Sequence, residues 1–185
     1  GASLGREALN EIASELNVKA LDDVDTLSGL MSWTIVPNFR ALGPRLGQFE
    51  TAFGRLLGVE HVSAVSSGTS GLHLAIRAAG VEAGHEVVTS PFSFVASANC
   101  LLYENARPVF CDIDRRTLNI DPRAAAAAVG ERTSGLLPVH IFGYPADLPA
   151  LERLAAERGL WIVEDACEAL GARHGDAGAV GTRGN

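Results

Sequence analysis

Residues 85–114 have the sequence HEVVTSPFSFVASANCLLYENARPVFCDID, and this stretch decides the predicted fold. Two short runs of apolar and β-branched residues, at 86–89 and 107–111, flank a longer amphipathic segment at 93–103. Two strands that are separated by a helix are typical of a parallel strand–helix–strand unit. The stretch therefore predicts one such unit, with both strands in the same sheet.

The same alternation continues on both sides of this unit. Further strands are predicted at 61–66, 135–140 and 160–164, and further helices at 70–79, 122–129 and 148–158. Strands that alternate with helices favour a mainly parallel sheet with helices on both faces. The predicted fold class is therefore α/β, in a three-layer α/β/α arrangement.

The first part of the chain has a different character. Apolar residues at helical spacing are followed there by a polar segment, so residues 1–39 are predicted to form a helix and a loop whose role is open. Residues 40–185 are predicted to form the main domain, which begins with an amphipathic helix that ends at Gly58.

Composition narrows the function classes. The 185 residues are 47% apolar, enough for one substantial core, and the net charge of -7 argues against a nucleic-acid or anionic-membrane surface. The apolar runs are too short to span a bilayer and no secretory signal is present, so a cytoplasmic location is expected. Cys100, Cys111 and Cys167 have neither disulfide nor zinc spacing and are predicted to be buried thiols.

In open parallel sheets, the loops at the carboxyl ends of the strands converge on the ligand site. Three predicted loops of this kind carry unusual residues. They are residues 66–71, SSGTSG, residues 90–94, SPFSF, and residues 164–168, EDACE.

The first loop combines glycine and hydroxyl residues at the start of a helix. Free backbone N–H groups and the helix dipole favour a phosphate there, and the hydroxyls of Thr69 and Ser70 add donors. The alternative is a plain helix cap with flexible glycines and no ligand. Neither a dinucleotide fingerprint nor a Walker loop is present.

The other two loops supply rings and carboxylates. Phe94 offers a ring face on which a flat cofactor can stack, although Phe92 and Phe94 could instead be core residues. Glu164 and Asp165 follow an apolar strand, where a buried carboxylate needs a cation such as a protonated pyridine nitrogen. A solvated strand end or a salt bridge to an arginine is the alternative.

Metal chemistry is not predicted. Asp112 and Asp114 lie at a strand end without further ligands and are expected to cap a turn. His73, His140 and His174 have no mutual spacing that indicates ligands or a relay.

Seven segments in this order resemble the DegT sugar aminotransferase family, over residues from about Arg40 to Asn185. They are Phe49-Glu50, Ser67-Gly68-Thr69-Ser70, Gly84-His85-Glu86-Val87-Val88, Phe94-Val95-Ala96-Ser97, Pro108 to Asp114, Pro138-Val139-His140 and Glu164 to Ala172. The resemblance implies the large domain of a fold-type-I enzyme that uses pyridoxal 5′-phosphate (PLP). It also implies a homodimer that moves an amino group from glutamate or glutamine to a keto group of a nucleotide-linked sugar.

The resemblance also implies roles for individual residues. Gly68, Thr69 and Ser70 would hold the phosphate, Phe94 and Cys167 would contact opposite faces of the ring, and Asp165 would pair with the pyridine nitrogen as the catalytic partner of the electron sink. Glu168 stands near the ring hydroxyl, where family members commonly have an amide or an imidazole. His85 replaces the usual aspartate of its turn, a change expected to be structural only.

The family's Schiff-base lysine lies shortly beyond the segment that matches Gly181 to Asn185. Lys19 is the one lysine of the chain and does not match that position. The chain is therefore expected to be a fragment that ends before the lysine and does not catalyse transamination by itself. Three alternatives stay open: the related dehydratases, in which histidine replaces the lysine, a non-catalytic PLP-binding module, and a plain α/β interaction domain.

Overall fold

The computed structural model describes residues 44–175 and 178–184. The chain divides into two compact units between Ser66 and Ser67. The described part of the first unit contains helix α1 (Pro44–Leu57) and a segment tied to it by a 2.8 Å hydrogen bond from the Ala64 N–H to Glu50 Oε1. The helix and loop predicted for residues 1–39 lie outside the described residues.

The second unit alternates helices and strands. Its elements are α2 (Gly68–Ala78), β1 (Glu86–Thr89), α3 (Ala96–Leu102), β2 (Arg107–Phe110), α4 (Pro122–Ala128), β3 (Thr133–Leu137), a 3-10 turn (Ile141–Gly143), α5 (Leu148–Arg158) and β4 (Trp161–Ile162). The four strands form one parallel sheet in the order β2-β1-β3-β4. Within the described residues, no helix combines the length and apolar character needed to cross a membrane.

Side chains from the two faces of this sheet enter two separate cores, because neighbouring residues of a strand point to opposite faces. Val88 and Leu136 pack on one face with apolar residues of α4 and α5. Val87 and Leu137 pack on the other face with residues of α2 and α3. The predicted parallel sheet with helices on both faces is therefore confirmed.

Local signals explain where the elements begin and end. The Asp147 side chain accepts a hydrogen bond from the Ala150 N–H at 3.2 Å and caps α5, which ends at Gly159 in the left-handed conformation. Pro138 has no N–H to donate, and β3 ends at Leu137, before the predicted end at 140.

One predicted strand is wrong. Residues 61–66 have no regular secondary structure. Only Val62 and Val65 of this segment are β-branched, and composition alone does not form a strand, because a strand also needs a paired neighbour. The predicted helix at 93–103 exists, but it begins only at Ala96.

Candidate cofactor site at the carboxyl edge of the sheet

A cavity of about 480 Å³ opens where the loops after β1, β3 and β4 converge. The predicted loops at 90–94 and 164–168 both line it. The loop after β3 also contributes, through Val139, Ile141 and Phe142, which were not predicted to line a site. The rule that ligand sites form at the carboxyl edge of a parallel sheet thus identifies the region but not all of its lining.

Asp165 is the buried charge of this cavity. It is 6% exposed, and the carboxylate accepts hydrogen bonds from Ser97 Oγ at 2.9 Å and from the Cys167 N–H at 3.3 Å. Its backbone bonds to Pro138 and His140 and so extends the ladder between β3 and β4. The main chain therefore fixes where the carboxylate enters the cavity.

Asp165 lacks a cationic partner among the residues that the structure describes, since none of their ion pairs includes it. Glu86, at the opposite edge of the sheet, shows the usual solution: Arg107 and Arg132 bind it at 2.8 and 2.6 Å. A buried carboxylate without such compensation is costly. Asp165 thus fits a cationic ligand: it is not a solvated strand end, and no arginine of the described residues forms a salt bridge with it.

Aromatic rings surround the cavity mouth. Phe94 and Phe142 are 76% and 73% exposed, and the ring of Phe92 lies edge-on to that of Phe142 with centroids 6.2 Å apart. The alternative that Phe92 and Phe94 are core residues is therefore wrong. Phe142 also has a positive φ of 53°, which is unfavourable for a bulky side chain.

Glu168 holds this unusual turn in place. Its Oε2 accepts a hydrogen bond from the Phe142 N–H at 3.0 Å. A side chain at Gly143 would come within 3.0 Å of the Glu168 carbonyl, so the turn lies directly against residue 168. The carboxylate of Glu168 thus lines the cavity while one of its oxygens supports the rim.

Cys167 connects the cavity to the start of α2. A Cβ at Gly68 would lie 2.9 Å from Cys167 Sγ, so the loop can approach the sulfur only because residue 68 is glycine. The protein atoms around the sulfur exclude part of its water, and this desolvation, together with the neighbouring Asp165 charge, raises the pKa of the thiol to about 12. Cys100 and Cys111 are buried as predicted, whereas Cys167 is exposed, because it belongs to a cavity wall.

The start of α2 is a capped helix end with backbone N–H groups that an anion could use. Ser67 caps the helix by accepting a hydrogen bond from the Ser70 N–H at 3.1 Å, and the Gly71 N–H bonds to the Ser67 carbonyl. The N–H groups of Gly68 and Thr69 precede that first helical bond, where a helix has no internal acceptors for them. The capping role and the phosphate role are therefore compatible.

A second buried cluster, beside the cavity, was not predicted. His140, Glu164 and His174 have side chains that are 0%, 2% and 6% exposed, and the two rings are 5.5 Å apart. The spacing of the histidines in the sequence indicates neither ligands nor a relay, and it does not reveal that His140 and His174 lie side by side. Residues 140 and 174 meet because the chain after β4 folds back beside β3, which linear spacing does not reveal.

This cluster has the composition of a metal site, but both oxygens of Glu164 and Nε2 of His140 already form hydrogen bonds, and only the buried Nε2 of His174 has no hydrogen-bond partner among the described residues. Glu164 Oε1 accepts from the N–H groups of Arg183 and Gly184, and Oε2 accepts from Gly181 N–H and His140 Nε2. The Ala146 N–H donates to His140 Nδ1, so the proton of that ring is on Nε2, which faces the carboxylate. The arrangement is that of a hydrogen-bonded carboxylate.

Burial alone would raise the pKa of the Glu164 carboxyl. The hydrogen bonds from His140, Arg183 and Gly181 outweigh burial and lower its pKa to about 2. Burial, together with the neighbouring His140, lowers the pKa of His174. Glu164 therefore acts as a buried anchor that attaches residues 181–184 to the end of β4.

Comparison with known proteins gives a family. The model of the DegT/DnrJ/EryC1/StrS aminotransferase family matches residues 30–185. An L-glutamine:2-deoxy-scyllo-inosose aminotransferase of Streptomyces lividus is 43% identical over 154 residues, 82% of this chain and 36% of that protein. The resemblance inferred from the seven segments is thus confirmed.

Solved structures agree. DesI, in the presence of its TDP-sugar product, matches with a TM-score of 0.72 and 39% identity over 77% of this chain and 36% of its own. A GDP-4-keto-6-deoxymannose-3-dehydratase with trapped PLP and glutamate matches with a TM-score of 0.72 and 30% identity over 77% of this chain and 38% of its own. The chain spans little more than a third of the length of these relatives.

Proposed function

This chain belongs to the DegT/DnrJ/EryC1/StrS aminotransferase family, and we propose that it forms the PLP-binding part of a sugar aminotransferase. The enzyme would transfer an amino group from glutamate or glutamine to a keto group of a nucleotide-linked sugar. One observation carries the proposal: Asp165 is buried at a cavity and has no cationic partner within the described chain. A protonated pyridine ring supplies that cation.

When bound, PLP supplies an electron sink that stabilises negative charge at the amine substrate. Asp165 is proposed to accept the pyridine N–H, because an adjacent carboxylate favours the protonated ring. The low-dielectric surroundings of Asp165 strengthen this ion pair. Asp165 thus holds a proton at the ring nitrogen and exchanges none with the substrate.

The remaining residues are proposed to bind and orient the cofactor. Backbone N–H groups of Gly68 and Thr69, with the Ser70 hydroxyl, would hold its phosphate at the start of α2. Phe94 and Cys167 would contact the two faces of the ring. The close approach of Gly68 to Cys167 Sγ, which leaves no room for a Cβ at residue 68, supports this arrangement.

Glu168 is proposed to lie beside the ring hydroxyl. A carboxylate there can accept a hydrogen bond from the hydroxyl but cannot donate one, unlike the amide or imidazole common in the family. This substitution favours the protonated hydroxyl over the phenolate. Glu168 would then distinguish this protein's cofactor protonation from that of its relatives.

The proposal extends to assembly and location. Leu74 of α2, Leu102 of α3 and Tyr103, which directly follows α3, are each more than half exposed, which supports a homodimer that covers apolar surface. Cytoplasmic location stays a prediction of the sequence.

A second function deserves its own test, because the matched dehydratase is 30% identical to this chain. A related dehydratase would remove oxygen from the sugar instead of adding nitrogen. The non-catalytic PLP-binding module is the third outcome.

The experiment uses the complete protein loaded with PLP and supplied with glutamate or glutamine labelled with ¹⁵N at the transferable nitrogen. We expect the label in pyridoxamine phosphate extracted after denaturation, with an equal amount of keto acid, before any sugar is added. A TDP-linked keto sugar added next should yield a ¹⁵N-amino sugar by mass spectrometry. A deoxygenated product would favour the dehydratase, and bound PLP without label transfer from either donor would leave only the binding module.

A further inference from the structure

The hydroxyl groups of Ser93 and Ser97 form two consecutive hydrogen bonds that end on Asp165. Ser97 lies in the first turn of α3 and is 2% exposed, while Ser93 lies in the preceding loop and lines the cavity. Ser97 Oγ is 2.9 Å from Asp165 Oδ2, and Ser93 Oγ is 2.8 Å from Ser97 Oγ. These hydrogen bonds thus lead from the cavity wall to the buried carboxylate.

We infer that Ser97 is a positioning residue that fixes the orientation and charge of Asp165, and that Ser93 fixes Ser97 in turn. The inference rests on the proposed role of Asp165 as partner of the pyridine ring and adds the group that controls it. Among the described residues, the hydroxyl of Ser97 bonds only to the Asp165 carboxylate and to Ser93, so it acts through Asp165.

The direction of the hydrogen bonds follows from proton counting. An ionised carboxylate only accepts, so the single hydroxyl proton of Ser97 is directed to Asp165. The lone pairs of Ser97 Oγ then face Ser93, whose hydroxyl donates. Each donation polarises the next hydroxyl, so two neutral serines together stabilise the charged form of Asp165.

Of the two hydrogen bonds that the Asp165 carboxylate accepts from the described residues, the one from Ser97 is the stronger. The bond from Ser97 is 2.9 Å long and joins a hydroxyl to a carboxylate, whereas the Cys167 N–H is 3.3 Å from the other oxygen. Without Ser97, Oδ2 loses its donor and the carboxylate can turn about its last torsion. A carboxylate that has turned away accepts less well from a ring N–H, so the protonated ring is less stabilised.

The test measures cofactor binding and ring protonation in the complete protein. Equilibrium dialysis gives the PLP dissociation constant, and the ¹⁵N chemical shift of ring-labelled PLP at pH 7.5 reports protonation of its nitrogen. We expect Ser97→Ala to weaken PLP binding about tenfold, the scale of one hydrogen bond to a charged group. We also expect it to move the ¹⁵N shift toward the unprotonated value.

Matched variants separate positioning from stability. Ser97→Thr keeps the hydroxyl and should restore both readouts. Ser93→Ala should change both in the same direction by a smaller amount, and it carries the test if Ser97→Ala does not fold. Ser134→Ala removes a half-buried hydroxyl that bonds to the Glu86 carbonyl, away from the cavity, and should leave both readouts unchanged.

A failure of the proposed function and a failure of the role of Ser97 give different results. Wild-type protein that does not bind PLP overturns the proposed function and this role with it. Wild-type protein that binds PLP, with unchanged affinity and ¹⁵N shift in folded Ser97→Ala, overturns only the role of Ser97.

Discussion

Two buried carboxylates lie at opposite ends of the parallel strands, and they differ in what compensates their charge. Glu86 is bound by two arginines, and these contacts outweigh burial and lower its pKa. Asp165 is equally buried but is held only by a hydroxyl and a backbone N–H among the described residues. The first carboxylate is satisfied by the protein, and the second is left for a cationic ligand.

The contact between Gly68 and Cys167 gives a prediction at the same scale. Gly68→Ala should push Cys167 Sγ from its place, since the new Cβ would lie 2.9 Å from it, and should weaken PLP binding about tenfold. In a Cys167→Ala background, Gly68→Ala should weaken PLP binding much less, because the sulfur that the new Cβ would contact is absent. Dialysis of the two single variants and the double variant measures this coupling.

Gly130→Ala is the matched control for that experiment. Its new Cβ would meet only Glu86 Oε2, at an ordinary 3.8 Å, so PLP affinity should not change. Equal effects of Gly68→Ala in both backgrounds would contradict a cradle formed by this contact.

The residues that the sequence predicts and those it misses differ in a physical way. Asp165 and Phe94 could be identified because each follows a strand, and strand ends converge. Ser97 lies 68 positions from Asp165, so their hydrogen bond exists only after β1 and β4 take their places in the sheet. The turn at Phe142 is likewise specified by a tertiary contact with Glu168 and not by its own composition.

At the scale of elements, Glu164 attaches residues 181–184 to β4 through three backbone N–H groups. Its pKa falls from 4.5 in an unfolded chain to about 2, which corresponds to roughly 3 kcal/mol. Because the folded-state pKa is the lower one, this stability is present above pH 4.5 and is lost as the pH falls toward 2.

Glu164→Gln tests this anchor. The amide has one acceptor oxygen in place of two, so we expect the variant to lose about 1–3 kcal/mol of stability at pH 7. The difference from wild type should shrink between pH 4.5 and 2 in urea unfolding experiments. Burial lowers the pKa of His174 and the Glu164 charge raises it, so His174 also contributes to this difference. A difference that does not depend on pH would contradict the account.

Packing between β3 and β4 gives a second prediction at this scale. Gly135 pairs with Trp161, and a Cβ at residue 135 would overlap the indole ring. Gly135→Ala should therefore lower the free energy of unfolding by about 1–3 kcal/mol. Gly47→Ala, in an exposed part of α1 with open space around it, should not lower it; equal effects would contradict the packing argument.

Elements were predictable where periodicity and pairing agree. The helices of the second unit and the strands from β1 onward were recovered because each amphipathic run packs on a sheet that exists. The segment at 61–66 has the composition of a strand but no paired neighbour in the described sheet, and composition alone cannot supply one.

At the scale of the molecule, the parallel sheet explains why chemistry collects at one edge. Parallel strands place every carboxyl end on the same side, so three loops far apart in sequence share one cavity. The opposite edge carries the Glu86 ion pairs, which stabilise the sheet without contacting the cavity. The amino ends of the strands thus carry stabilising ion pairs, and their carboxyl ends form the cavity proposed to bind the cofactor.

The central claim is that Asp165 provides the charge that a cationic cofactor ring requires, and PLP affinity of the complete protein tests it most directly. Asp165→Asn removes the charge at nearly constant size, and Asp147→Asn makes the same change at a helix cap, where asparagine serves equally well. We predict saturable PLP binding by wild type, about tenfold or weaker binding by Asp165→Asn, and wild-type affinity for Asp147→Asn. Unaltered affinity in Asp165→Asn, or no PLP binding by wild type, would contradict the account.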